Sequence, residues 1–247
     1  MMGVLDDLLN SVEGDTPVRE VRTCAHWTAV VSKHCGLASS IHYEQHPHGL
    51  AAVRGVGTLH ELSALELAAY ATSDMPLEAS IGVAAINSLI DVDEERCVEL
   101  NAEAWLAEQG RGKRVAIVGS FPFVPRLRGK VGELWVLERH PSEGELFSDE
   151  ASRVIPRADV VAITGTALIN HTLDDLLGLC REDSSVMVLG PSTPLSPVLF
   201  DHGVDVVSGT QVVDVDLVLK LISQGATFRQ VKGPGVRLLT MISSKTK

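Results

Sequence analysis

Three short loops hold the residues of this chain best suited to binding or chemistry. Thr164-Gly165-Thr166, with Asn170 close behind, follows the apolar run VVAIT, and Gly190-Pro191-Ser192-Thr193 follows VMVL. Glycine lets a ligand come close to the backbone, exposed N–H groups can hold an anion, and hydroxyls orient polar substituents. The same residues have a structural use. Thr172 or Asn170 can cap the helical segment LDDLLGL, and Ser192 can start a helix at Pro194. The third loop is Gly119-Ser120-Phe121-Pro122-Phe123, again directly after an apolar run. A dinucleotide fingerprint there needs GxGxxG and an acid near the end of the next strand. Glu138 supplies the acid, but Pro122 and two phenylalanines replace the glycines. The loop reads either as a cradle for another ligand or as a tight turn whose rings fill an interface.

Carboxylate and imidazole groups cluster near the same strand ends. Glu138 closes the run WVLE, His140 lies just beyond it, and His171 follows the third strand. Together they could give a divalent metal ion one carboxylate and two imidazole ligands, although hard oxygen donors do not favour a soft metal. Cys24-x-His26 and His46-Pro47-His48 lack the spacing of a structural zinc site. The sequence has no HExxH, GxxxxGK[ST], GxSxG or paired-carboxylate signature, so nothing in it points to a hydrolase or kinase.

The elements that must carry these loops alternate. RVAIVGSF, ELWVLER, DVVAITGT, VMVLGPS and VDVVSGTQ read as five strands, with LDDLLGLCRED, LSPVLFDHG and VDLVLKLISQG as helices between or after them. Such alternation predicts an α/β domain with a parallel sheet, whose ligands bind beyond the carboxyl ends of the strands. The first part differs. Residues 2–13 form an amphipathic helix with Val4, Leu5, Leu8, Leu9 and Val12 on one face, and VREVRTCA, TAVVS and LASSIHYE follow as a meander of strands. SALELAAYATS carries a capping box, Ser63 with Glu66, and Pro76 suits the first turn of PLEASIGVAAINSLI. The latter is rich in small residues and can pack closely on other backbone. Asn101 to Gln109 is one more helix, and Gly110–Gly112 marks the domain boundary. The tail SSKTK is expected to fray.

Composition narrows the classes of function. The chain has 247 residues, 45% of them hydrophobic, enough for one large or two modest cores. Aromatic residues are only 4%, which argues against a protein that stacks on nucleic acid bases. A net charge of -11 argues against a broad nucleic-acid or anionic-membrane surface. Arg111–Arg114 and Arg126–Lys130 remain as local spots for one phosphate or carboxylate. The start, MMGVLDDLLNSVEGD, lacks the basic region of a signal peptide, and no apolar run reaches the roughly 18 residues of a membrane span. Cys24, Cys35, Cys97 and Cys180 are widely spaced without a CxxC pair and read as reduced thiols in a cytoplasm.

Taken in order, several of these motifs resemble one known family, the heavy-metal chelation proteins first defined as a domain of unknown function. The matching pieces are HWTAVVS at 26–32, ASIGVAAINS at 79–88, GSFPF at 119–123, the strand ending in Glu138, TGTALINHTL at 164–173, GPSTPLSP at 190–197 and HGVDVVSG. They cover nearly the whole chain. The resemblance implies a small α+β, enolase-N-terminal-like domain at 1–110, a Rossmann-like parallel-sheet domain at 111–247, and a site in the cleft between them. It implies a role in handling a heavy metal, linked to corrinoid or tetrapyrrole metabolism. Carried over by motif, the cleft residues are Phe121, Pro122, Glu138, Thr164, Gly165, Thr166, Asn170, Gly190, Ser192 and Thr193, with Asn87 from the first domain. No catalytic residue carries over.

Two classes of function stay open. One is a protein acting on a metal or metal-binding small molecule, with Glu138, His140 and His171 as ligands. The other is a binding module that holds a small anionic metabolite or nucleotide on loop N–H groups without chemistry. In both, the Ala-rich helical layer is expected to be covered by a second copy, as a homodimer.

Overall fold

The computed structural model describes residues 3–42, 53–233 and 235–244. The chain opens with helix α1 (Val4–Ser11) and an antiparallel meander of β1 (Glu20–Thr23), β2 (Trp27–Val31) and β3 (Cys35–Ser39). Every residue of β2 is buried, because both faces of this small sheet are covered. Successive side chains of a strand point to opposite faces. Trp27, Ala29 and Val31 therefore join one apolar cluster and Val30 joins another. The second cluster includes α2 (Ala64–Ala68) and α3 (Pro76–Leu89). Ser63 and Glu66 form the expected capping box on α2, and Pro76 opens α3.

Small residues let α3 lie almost backbone to backbone on its neighbours. A Cβ on Gly36 of β3 would drive into the α3 backbone at Ala84 and Ser88, and one on Gly82 would drive into the turn at Ala71. This corrects the expectation for the Ala-rich layer. The residues of α3 from Glu78 to Ile86 are all buried within the chain, so this helix is not a face left for a second copy.

The rest of the chain builds one eight-stranded sheet. In chain order it comprises β4 (Cys97–Val98), α4 (Ala102–Gln109), β5 (Arg114–Val118), α5 (Val124–Leu127), β6 (Glu133–Glu138), β7 (Leu146–Phe147) and α6 (Ala151–Val154). There follow β8 (Val160–Thr164), α7 (Thr166–Ile169), α8 (Leu173–Gly178), β9 (Ser185–Leu189), α9 (Val198–Asp201) and β10 (Val206–Val212). Last come α10 (Val215–Ser223), α11 (Phe228–Val231) and β11 (Val236–Ile242). The spatial order is β4-β11-β10-β9-β8-β5-β6-β7, and the six strands from β10 to β7 are parallel. All five strands expected from the alternation are present. The run VRLLTMI, not assigned to any element above, is β11, which pairs antiparallel with β10 along its full length. β10 and β11 are joined by the α10–α11 excursion, which therefore leaves and rejoins the sheet at one end.

Two further features depart from the sequence reading. Residues 97–109, ahead of Gly110–Gly112, belong with the second sheet: β4 pairs with β11, and Trp105 and Leu106 of α4 pack on Val115 and Ile117 of β5. No helix starts at Pro194. Residues 191–197 form a turn and loop, and α9 begins only at Val198. Three cations of the expected basic spots are engaged as well. Arg114 pairs with Asp159, and Arg126 and Lys130 both pair with Glu103.

The two units are tightly joined. Trp27 donates its indole N–H to Ala226 O at 2.9 Å, Arg22 donates to Leu219 O at 3.1 Å, and one apolar cluster unites β2 and β3 with α10 and α11. On the other side, Val4 N–H is received by Asp174, and His202 pairs with Asp7.

Candidate functional site

Three adjacent parallel strands, β9, β8 and β5, each end in a glycine: Gly190, Gly165 and Gly119. β5 stands between β6, which follows it in the chain, and β8, where the connections turn to the other side. This is the switch point at which a crevice opens in an open α/β sheet. Gly119 and Gly190 have φ of +106° and +116°, which L side chains rarely adopt. The three glycine N–H groups do not face a ligand. Each extends the sheet by donating to the next strand: Gly119 to Leu137 O at 2.9 Å, Gly165 to Leu189 O at 2.8 Å and Gly190 to Ser208 O at 3.0 Å. Thr193 N–H bonds Gly190 O, and Thr166 N–H lies 3.3 Å from Thr164 Oγ1. The expectation that these loops hold an anion on free backbone donors is therefore corrected. The glycines make a flat floor instead.

Gly165 is also a joint. A Cβ there would press into Thr193 Oγ1 and stand 2.7 Å from Thr193 N. Thr193 is buried, and its hydroxyl has no hydrogen-bond partner among the described residues. Ser192 next to it reaches the other unit: Ser39 N–H donates to Ser192 Oγ at 2.9 Å, and Ser192 Oγ donates to Ser39 Oγ at 3.3 Å. Neither serine nor threonine begins a helix. The expected caps of α8 are also absent, since Thr172 makes no side-chain cap bond and Asn170 ends α7.

Above the glycine floor lies a cleft of about 530 Å³, within the common size range for small-molecule sites. It gathers most of the residues anticipated from sequence: Phe121, Pro122, Glu138, Thr164, Gly165, Thr166, Asn170, Gly190 and Ser192 all line it. Thr193 does not; it supports the floor from behind. Asn87 does not either. Its amide donates to Leu37 O at 2.8 Å and ties α3 to β3. The first unit contributes Trp27 and Ser39 instead, and α11 contributes Phe228. Sequence reasoning had no signal for Phe228, on a one-turn helix after α10. Trp27 was visible as a large apolar residue at a strand start, but not as a cleft wall. Asp149, in the turn after β7, adds a second carboxylate to Glu138.

A second cleft, about 700 Å³, adjoins the first. His42, Asp74, Arg139, His140, Asn170 and His171 line it, and Arg139 and Asn170 line both. His171 is held at φ +55° while its Nε2 bonds Ala71 O at 2.7 Å. The set expected to hold a metal is thus divided: Glu138 faces the first cleft, and His140 and His171 face the second. Among the described residues no three His, Cys, Asp or Glu side chains converge on one point. His46-Pro47-His48 lies outside the described residues. Glu138 Oε1 accepts the Arg139 N–H at 2.8 Å.

Thiolate chemistry is disfavoured at three of the four cysteines. Burial pushes the Cys35 thiol up to about 12 and the Cys180 thiol to about 11, and it raises Cys97 as well. These groups stay neutral near neutral pH, and the thiolate is the form that binds soft metals. None lines either cleft.

Two family models match the chain: DUF364 over residues 101–241 and DUF4213 over residues 5–90, both described as "Putative heavy-metal chelation". The chain belongs to the DUF364 family. A DUF364-family protein of unknown function from Desulfitobacterium hafniense has a crystal structure that matches at TM-score 0.85 and 27% identity, over 97% of this chain and 98% of that one. A second DUF364-family structure, from Pyrococcus horikoshii, matches at TM-score 0.80 and 19% identity over the same shares, which speaks to the fold alone. An uncharacterized protein of Methanocaldococcus jannaschii is 30% identical over 168 residues, 62% of this chain and 63% of that protein, so the match spans less than two thirds of the relative's length. The DUF364 fold here is α/β, with a small antiparallel sheet beside a mostly parallel one. No helix among the described residues is long and apolar enough to cross a membrane.

Proposed function

We propose that the protein binds a small organic molecule that carries a metal ion, in the cleft above Gly119, Gly165 and Gly190. The carrying observation is convergence. Trp27 and Ser39 of the first unit, the three strand-end loops of the second and Phe228 of α11 surround one space of about 530 Å³. The family description supplies the metal, here as cargo. The donor set around the cleft fits cargo held through an organic partner. Glu138 and Asp149 offer hard oxygen, which suits the outer ligands of a chelate better than a bare soft ion. Three of the four thiols, those best suited to a bare soft ion, are neutralised by burial.

The test is native mass spectrometry paired with elemental analysis, on protein purified without chelators and on Glu138→Gln. The wild type is expected to retain an organic mass and a metal in fixed ratio. Glu138→Gln keeps the shape, removes the charge and should lose at least about tenfold in metal content, as expected when a charged ligand contact is removed. Metal retained at full level by Glu138→Gln, or retained with no organic partner, overturns the reading.

A further inference from the structure

Resting on the reading of the first cleft as a small-molecule site, we infer that its ligand presents a flat conjugated ring. The chain has only five Phe and three Trp, yet Phe121, Phe228 and Trp27 all line this one cleft. Each phenylalanine is backed by a second ring. Phe121 stacks on Phe123 with centroids 5.1 Å apart and planes 14° apart, and Phe228 packs on Trp27 at 5.8 Å and 47°. Trp27 is itself fixed by its bond to Ala226 O. The two pairs approach from opposite ends of the glycine row. Phe121 rises from the loop after β5, and Phe228 belongs to the excursion between β10 and β11, with β8 and β9 between them.

Of the three strand-end glycines between these walls, Gly119 and Gly165 lie where a Cβ would press on Thr164 and Thr193, and Gly190 is the one that faces open space. At Gly190 a Cβ would have only one neighbour within 4 Å, Gly165 N at 3.9 Å, so the space above it is open. A floor left open at Gly190 between aromatic walls is a slot for something thin. A flat π system gains from ring faces and edges in a way that a saturated skeleton of the same carbon count does not. The bland alternative is that these rings fill the contact between the two units. Trp27, 6% exposed, fits that account. Phe121 and Phe228 do not: both remain half-buried and open to the cleft. Glu138, Thr166 and Asn170 at the rim would then orient the ring's polar substituents.

Naphthoate and its saturated counterpart, decahydronaphthoate, share skeleton and charge and differ in flatness. Both can be titrated into the isotope-labelled full chain while the amide signals of Gly119, Gly165 and Gly190 report on the cleft. Naphthoate should bind about tenfold tighter, the size expected of two aromatic contacts. The double variant Phe121→Leu, Phe228→Leu, which keeps apolar volume, should erase that preference while the fold, read from the remaining amide signals, persists. Equal affinity of the two acids at the glycine amides in the wild type overturns the ring inference and leaves the cleft as a small-molecule site. A preference that survives in the double variant also overturns it. If neither acid moves the glycine signals, the reading of the cleft fails and the ring with it.

Discussion

The two clefts lie side by side and share Arg139 and Asn170, yet they are built by opposite means. The smaller one stands on backbone. Its floor is three strand ends held in register by the sheet, and Gly165, Ala167, Leu137 and Ser192 in its lining are buried. The larger one is bounded largely by side chains in solvent: His42, Asp74, Arg139, His140 and His171 are all exposed. Volume favours the second and rigidity the first. Groups held by a sheet keep their geometry whether or not a ligand is present, whereas immobilising a mobile exposed side chain costs about 0.5–1.5 kcal/mol. More room and more titratable groups therefore do not make the better site.

The sharpest way to break this contrast is Gly165→Val. The added Cβ meets backbone of the 190–193 loop rather than ligand space, so the variant should lose about 3 kcal/mol or more of stability, in the upper range for overpacking. It should also lose binding in the first cleft. A thermal unfolding midpoint equal to that of the wild type would show that the floor is not packed as described.

Glu78→Ala strikes the wall of the second cleft. Glu78 is 2% exposed and accepts from Ser73 Oγ at 2.6 Å, from Arg54 N at 2.6 Å and from Arg54 Nε at 3.0 Å, beside cleft residues Asp74 and Pro76. Its loss should cost about 2 kcal/mol, the value of a charged hydrogen-bonded group, with the first cleft still able to bind. Burial pushes this carboxyl up, but the bonds from Ser73 and Arg54 outweigh it and hold it below its ordinary 4.5. The stabilisation is therefore complete above pH 4.5 and fades as pH falls through the lowered folded-state value. Denaturant midpoints of wild type and Glu78→Gln should converge on acidification. A gap that widens instead refutes the assignment.

Smaller effects separate positioning from binding. Ser192→Ala removes the link to Ser39 and should cost about 1 kcal/mol, with affinity in the first cleft falling more than stability accounts for. His171→Gly removes the bond to Ala71 but relieves a positive φ. The two effects oppose each other, and the net should stay within about 1 kcal/mol. Binding in the first cleft should not change. If it falls as far as in Ser192→Ala, the two clefts act as one site.

The sequence made the floor legible and the walls obscure, for a physical reason. Gly119, Gly165 and Gly190 each end an apolar β-branched run, so strand and strand end are both written locally. The five parallel strands, the capping box at Ser63 and the close-packing α3 are likewise local patterns. What was misread depends on pairing across the chain. VRLLTMI is apolar, but its place as β11 rests on pairing with β10. Phe228 and Ser39 join the site only through the packing of the first sheet on α10 and α11. The glycine N–H groups looked free for an anion because their true acceptors, Leu137, Leu189 and Ser208, lie on neighbouring strands. Asn87 had the right chemistry on the right helix, but its amide holds Leu37.

The place of β11 has a consequence for how the molecule comes into being on the ribosome. β4, at residues 97–98, has no strand to pair with until residues 240–241 have been made. The wall carrying Phe228 is synthesised just before them. Between the synthesis of β10 and that of α11 the glycine floor can form while one side of the slot does not yet exist, since domains fold as their segments emerge. The cleft gains its last wall only once the segment after β10 has been made, so a product interrupted before that segment keeps much of the sheet but lacks one side of the slot.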